Sequence, residues 1–249
     1  MRLDKYISNG GYKTRKEVKK LINQGRVSVN SKVILKADYK VDIHNDEVIC
    51  NHEKIIYKKF YYFMINKPQG VLSATKDEVS NSETIIDLLD DRLQKIGLFP
   101  VGRLDKDTEG LLILTNDGNF AHKTLSPKNN VRKIYFAVLS GINGMNGAVT
   151  EEDVAAFKDG VTINGDYKCK PADLHILKID TEKNLSETEV TVTEGKFHQV
   201  KKMFESVNKN VIYLKRIMFA NIALDEKLSL GEYRELNSKE MKILDKYID

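Results

Sequence analysis

The chain has 249 residues, 41% hydrophobic and 31% charged, with a formal net charge of +4. That composition describes a globular protein with ample core, and no apolar run approaches the roughly 18 residues a membrane span requires. The two cysteines, Cys50 and Cys169, lack CxxC spacing and the five histidines lack HxxxH pairing, which argues against a disulfide framework or a metal site and fits a reducing cytoplasm.

The charge is unevenly spread. Residues 1–58 hold 13 Lys and Arg against 7 Asp and Glu, while 59–249 hold 27 against 29. A basic module joined to a different kind of domain is the expectation, with the boundary near residue 58. The N-terminus, "MRLDKYISNG", carries charges where a signal peptide needs an apolar core. In "YKTRKEVKKLINQG", Thr14 and Glu17 have capping-box spacing, Val18, Leu21 and Ile22 make one apolar face, and Gly25 suits the helix end. "RVSVNSKVIL" alternates around Asn30-Ser31 and reads as a small hairpin. A solvated lysine-rich helix is the bland reading. Ten basic and two acidic residues within 1–36 make a bound polyanion the better one.

After residue 58, "FYYFMINKPQG" is a buried strand broken at Pro68. "SETIIDLLDDRL" has helical spacing of Ile85, Ile86, Leu88 and Leu89. In "LFPVGRLDKDTEGLLILTNDG", two short buried strands enclose five charges in seven positions, Arg103 to Glu109, and "NDG" reads as a tight turn. "KIYFAVLSG" and "ETEVTVTEG" are strands, and "HQVKKMFESV" is a helix with Val200, Met203, Phe204 and Val207 on one face. Strands outnumber helices, so the fold class is α+β: a small α/β module over 1–58, then a domain over 59–249 with a mostly antiparallel, mixed sheet.

Two resemblances attach to these segments. "RLDKYIS…TRKEVKKLINQGRVSVNSKVI" resembles the S4 RNA-binding domain over about residues 1–50. It implies that Arg15, Lys16, Lys19, Lys20 and Arg26 meet RNA phosphates, contacts that are strongly salt-dependent and read little sequence. "NKPQG", "GRLDKDTEGLLILTNDG" and "EGKFHQVKKMF" occur in the order found in the RsuA-type pseudouridine synthases, which also carry an N-terminal S4 domain. That likeness runs to about residue 236, and the middle block matches over some sixteen consecutive positions.

The resemblance implies conversion of an rRNA uridine to pseudouridine, in which the C1′–N1 bond breaks and the base rejoins through C5 with no cofactor and no metal. Asp105 is implied as the reacting carboxylate, attacking the sugar carbon or the uracil ring or abstracting a sugar proton. Lys201 is the balancing cation that a carboxylate in a dry site needs. Tyr135 stacks on the extruded base and assists proton transfer, Arg103 fills the space the base leaves, and Val200 packs the base of the site. Lys67 is grouped with the substrate-facing residues and, with Asp107, Thr108 and Glu109, with the shaping of the loop. His198 and Gln199 are expected to act as supporting hydrogen-bond residues, and an Arg103–Asp107 ion pair is an alternative for those two side chains.

Two positions depart from the family pattern: Ile134, where relatives carry a small polar residue, and Ala220, where glycine is common. The absence of a basic tail after residue 240 points to small-subunit (16S) rRNA rather than large-subunit (23S) rRNA. The expected partner is ribosomal RNA, within a ribosomal subunit or assembly intermediate, met by a cytoplasmic monomer. A noncatalytic ribosome-assembly protein and a glycosidase using Asp105 and Asp107 are the competing readings.

Overall fold

A computed structural model describes residues 1–248. The chain divides into two compact units, Met1–Tyr61 with Ile86–Phe99, and Tyr62–Ile85 with the chain from Pro100 on. The first unit thus runs three residues past the expected boundary and takes in a second, later segment.

In the first unit, helices Leu3–Asn9 and Arg15–Asn23 lie with a four-stranded antiparallel sheet ordered Lys32–Val33, Val27–Val29, Val48–Cys50, Glu53–Ile55. The Thr14–Glu17 capping box forms, and Val18 and Ile22 are fully buried with Leu3, Ile7 and Val48. The hairpin turns at Asn30-Ser31, both in the left-handed region. Arg15, Lys16, Lys19, Lys20 and Arg26 are exposed. Arg15 also lies 3.5 Å from the buried Asp4 carboxylate, which Arg2 contacts at 3.1 Å. The later segment is less helical than its spacing suggests. Residues 86–88 form turns, and the helix is confined to Asp91–Gln94, where the Asp90 side chain accepts from the Arg92 and Leu93 amides. A capping aspartate after the apolar run starts the helix later than the periodicity alone indicates.

The second unit is built on one mixed sheet whose path runs Asp173–Asp180, Leu185–Val192, Lys133–Gly141, Lys209–Phe219, Glu109–Thr115, Tyr62–Lys67, Tyr233–Glu235. Every neighbouring pair on this path is antiparallel except Lys209–Phe219 beside Glu109–Thr115, where Lys215 faces Glu109 and Arg216 faces Gly110. That parallel contact depends on glycine. Gly110 sits at φ +103°, and a Cβ there would stand 2.3 Å from the Arg216 carbonyl oxygen. Only glycine lets the two strands approach so closely.

"NDG" is not a hairpin turn. Asp117 caps helix Gly118–Leu125, accepting from the Asn119 and Phe120 amides, and Tyr62 donates its hydroxyl to the same carboxylate at 2.7 Å. Helix Gln199–Glu205 packs beside the long strand Lys209–Phe219, and Phe204 meets Phe157 of helix Glu151–Asp159 with ring centres 4.9 Å apart. At the end of the long strand the chain reverses through Ala220 (φ 52°) and Asn221 (φ 66°) to pair Phe219 with Ile222. Ala220 therefore occupies a left-handed position that glycine adopts without strain. Among the described residues no helix is long and apolar enough to cross a membrane.

Candidate active site

The charged loop after Val101 is fastened from beneath. Ser73 exchanges hydrogen bonds with Leu104, its hydroxyl donating to the carbonyl at 2.9 Å and accepting from the amide at 3.0 Å. The Gly70 amide donates to the Lys106 carbonyl at 2.8 Å, and the Thr108 amide to the Asp105 carbonyl at 3.0 Å. The main anchor is Lys67, whose side chain is fully buried and whose ammonium donates to the carbonyls of Pro68, Asp105, Lys106 and Thr108 at 2.9 to 3.3 Å. Burial pushes Lys67 down to about 8, against the upward pull of Asp107, Asp105 and Glu109. Lys67 therefore faces no RNA. It shapes the loop, because a strand residue buried on all sides can reach only the carbonyls above it.

The loop presents its side chains to a cavity of about 590 Å³ in the second unit. Arg103, Asp105, Tyr135, Val200 and Lys201 all line it, brought together from the loop, the strand Lys133–Gly141 and the helix Gln199–Glu205. Tyr135 and Val200 are nearly buried, whereas Arg103 is exposed. Lys201 stands 3.6 Å from Asp105, but its hydrogen bonds, at 2.6 and 2.7 Å, go to Asp107. These bonds hold the Asp107 carboxyl below its usual range. The nearest counter-ion of Lys201 is thus Asp107, not Asp105, and Asp107 is paired with Lys201 rather than Arg103. Asp105 meets that cation at longer range and His198 Nε2 at 3.5 Å.

His198 takes a left-handed conformation (φ 54°) at the start of the helix and stacks on the exposed Phe197, ring centres 3.7 Å apart. Gln199 is buried; its amide nitrogen donates to Glu194 at 2.6 Å and its oxygen accepts from the Lys196 amide at 2.8 Å, closing the turn that delivers Lys201. Glu109 accepts a 2.6 Å hydrogen bond from the Tyr213 hydroxyl.

Sequence reasoning missed several lining residues: Lys133, Tyr167, Lys170, Glu194 and Arg216. The signal was strand alternation. Lys133 and Tyr135 are two apart on one strand, Leu214 and Arg216 on its neighbour, and residues at that spacing share a face. Among the described residues no group of three or more His, Cys, Asp or Glu is placed to hold a metal ion. Asp107 does not line the cavity, so Asp105 and Asp107 do not flank a sugar as a glycosidase pair must.

Comparisons with known proteins agree in kind. The family model described as RNA pseudouridylate synthase matches residues 61–206, and the S4 domain model matches residues 1–48. An uncharacterized RNA pseudouridine synthase of Bacillus subtilis is 44% identical, over 98% of each chain. The ribosomal large subunit pseudouridine synthase B of the same organism is 36% identical, over 98% of this chain and 95% of its own. The ribosomal small subunit pseudouridine synthase A of Haemophilus influenzae is 36% identical, over 98% of this chain and 99% of its own. A crystal structure described as a pseudouridylate synthase superposes with a TM-score of 0.65 at 34% identity, covering 98% of this chain and 99% of that one.

Proposed function

Starting from the premise that the chain belongs to the RNA pseudouridylate synthase family and is an RNA pseudouridine synthase with an N-terminal S4 domain, we propose that it converts a uridine of small-subunit rRNA to pseudouridine. Asp105 is the reacting carboxylate, Tyr135 stacks on the extruded base, and Lys201 is the cation of the site. The convergence of these three side chains on one cavity carries the reading. Arg103, exposed at that cavity, fills the gap left in the RNA, and Val200 packs against the base. Arg15, Lys16, Lys19, Lys20 and Arg26 take phosphates on the first unit, on whose surface all five are exposed.

The reaction is redox-neutral and adds no water. What the site must supply is a group that meets the sugar's electron deficit, a surface for the freed base, and exclusion of solvent. Asp105 suits the first role because its carboxylate meets Lys201 and His198 only at 3.5 Å or beyond. It attacks the sugar carbon or the ring, or takes a sugar proton.

The small-subunit target is supported by the likeness to the Haemophilus influenzae enzyme. The equal identity to the Bacillus subtilis large-subunit enzyme favours a second reading, a 23S target. The protein acts in the cytoplasm as a monomer, on rRNA within a subunit or an assembly intermediate. Mapping pseudouridines in both rRNAs from a strain lacking the gene is the test. One missing pseudouridine in the small-subunit rRNA is expected, and a loss confined to the large-subunit rRNA overturns the assignment.

A further inference from the structure

The wall of the cavity opposite in character to the acidic loop is the sheet itself, and it holds a buried charge with no counter-ion. Arg216 is 2% exposed. Its Nε donates to the Leu111 carbonyl at 2.8 Å, which fixes the guanidinium plane, while one terminal nitrogen is buried without any hydrogen-bond partner. Lys133, 9% exposed on the same wall, donates to the Val131 carbonyl at 3.0 Å. Neither cation has a carboxylate within ion-pair distance among the described residues. Glu194 lines this wall too, but it is occupied: Oε1 accepts from the Lys170 amide and Gln199 Nε2, and Oε2 from the Tyr167 hydroxyl.

A guanidinium cannot escape by losing its proton. A buried guanidinium whose partners are one carbonyl and the Phe219 ring, 5.2 Å from its centre, is costly to keep unless something bound later completes it. Its position says what that is. Arg216 and Tyr135 are directly paired across neighbouring antiparallel strands, and both line the cavity. Side chains of such a pair start only about 5 Å apart. A uracil ring lying on Tyr135 therefore presents an edge to Arg216, and the acceptors on a uracil edge are its carbonyl oxygens.

We propose that Arg216, with Lys133 beside it, binds a carbonyl oxygen of the extruded uracil and carries the negative charge that the ring gains when C1′–N1 breaks. This rests on the reading of Asp105 and Tyr135 above. In that step both bonding electrons leave with N1, and the ring becomes an anion whose charge is shared with its carbonyl oxygens. The sugar's deficit is met by Asp105, through a C1′–O bond or through loss of a sugar proton to the carboxylate. Rejoining at C5 breaks the C1′–O bond, or is accompanied by return of the sugar proton from the carboxylate, so that Asp105 is regenerated. Loss of the C5 proton and protonation of N1 then leave the neutral isomer. A fixed donor aimed at developing oxyanion charge in a dry site acts on the transition state more than on the bound ground state.

The test is single-turnover loss of the target nucleoside in RNA carrying either uridine or 5-fluorouridine there. Fluorine withdraws electrons and stabilises the departing ring without help from the protein. Arg216→Gln is expected to slow uridine conversion by roughly 10²- to 10³-fold, and to show at least a tenfold smaller deficit on 5-fluorouridine. A folded variant with equal deficits on both substrates, or with uridine conversion near the parent rate, overturns the proposal. If Arg216→Gln does not fold, Arg216→Lys and Lys133→Met carry the same two-substrate comparison, with smaller deficits expected and the same overturning result. A parent protein inactive on every rRNA substrate contradicts the proposed function instead, so the two failures are distinguishable.

Discussion

On the loop wall of the cavity, Lys201 is bonded to Asp107 at 2.6 Å and Lys67 to four carbonyl oxygens. On the sheet wall, Arg216 and Lys133 reach one carbonyl each and no carboxylate. The loop wall is a frame in which Lys67, Lys201 and Asp107 are hydrogen-bonded before any RNA arrives. Its hydrogen bonds hold the backbone of Asp105 in one place, and small misplacements of a reacting group are costly. The sheet wall keeps a charge in reserve. The difference separates what positions the carboxylate from what answers the charge that the carboxylate's chemistry creates.

The comparison breaks most severely at Lys67. Lys67→Met removes the donor shared by four carbonyls packed over a buried strand. Those of Asp105 and Lys106 keep one backbone amide each, those of Pro68 and Thr108 lose the Lys67 bond, and unpaired buried groups cost about 1–3 kcal/mol apiece. A loss of about 3 kcal/mol or more in urea unfolding is expected, together with a large fall in turnover. Unchanged stability would show that the loop does not depend on this anchor.

Alkaline pH separates function from stability more gently. Burial pushes both Lys67 and Lys133 down to about 8. Lys67 faces Asp105, Asp107 and Glu109, which raise it, and Lys133 faces Arg216 and Lys170, which lower it, and Glu194, which raises it. Above about pH 8 the folded protein gives up protons that both walls use, so activity falls. The unfolded chain, whose lysines titrate at about 10.4, still holds them, so this linkage raises folding stability between about pH 8 and 10. Activity that declines with no matching loss of thermal stability is the expected pattern. A parallel decline of both contradicts it.

The smallest effect lies just beyond the sheet wall. Ala220→Gly relieves a left-handed alanine, worth about 1–2 kcal/mol, at the loss of one buried methyl, about 0.8 kcal/mol. A net gain of up to about 1 kcal/mol, or up to roughly 2–4 °C in Tm, is expected, with turnover unchanged. A drop in Tm would mean that packing outweighs strain at this turn.

Much of the frame was legible in the residues. Thr14 and Glu17 announced the basic helix, Pro68 the end of the buried strand, and the family pattern around Asp105, Tyr135 and Lys201 named side chains that meet in one cavity. What escaped has physical reasons. Asp105 and Asp107 are two residues apart in one loop, and only the loop's path decides which of them Lys201 bonds. "NDG" suits a hairpin and a helix cap alike, and packing chose the cap, with Tyr62 bonded to Asp117. Arg216 stands among charged and apolar residues in "YLKRIMF", where composition cannot say which charge is inside. Alternation could have put it on one strand face with Leu214, but not shown that it lacks a partner.

The central claim is that Asp105 performs the chemistry on a frame the rest of the loop wall provides. Tritium release from rRNA labelled at uridine C5 tests it most directly, measured for the parent and for Asp105→Asn at equal RNA occupancy. Asp105→Asn should bind the RNA with an affinity close to the parent's and release no tritium above background. Release at the parent rate would contradict the account.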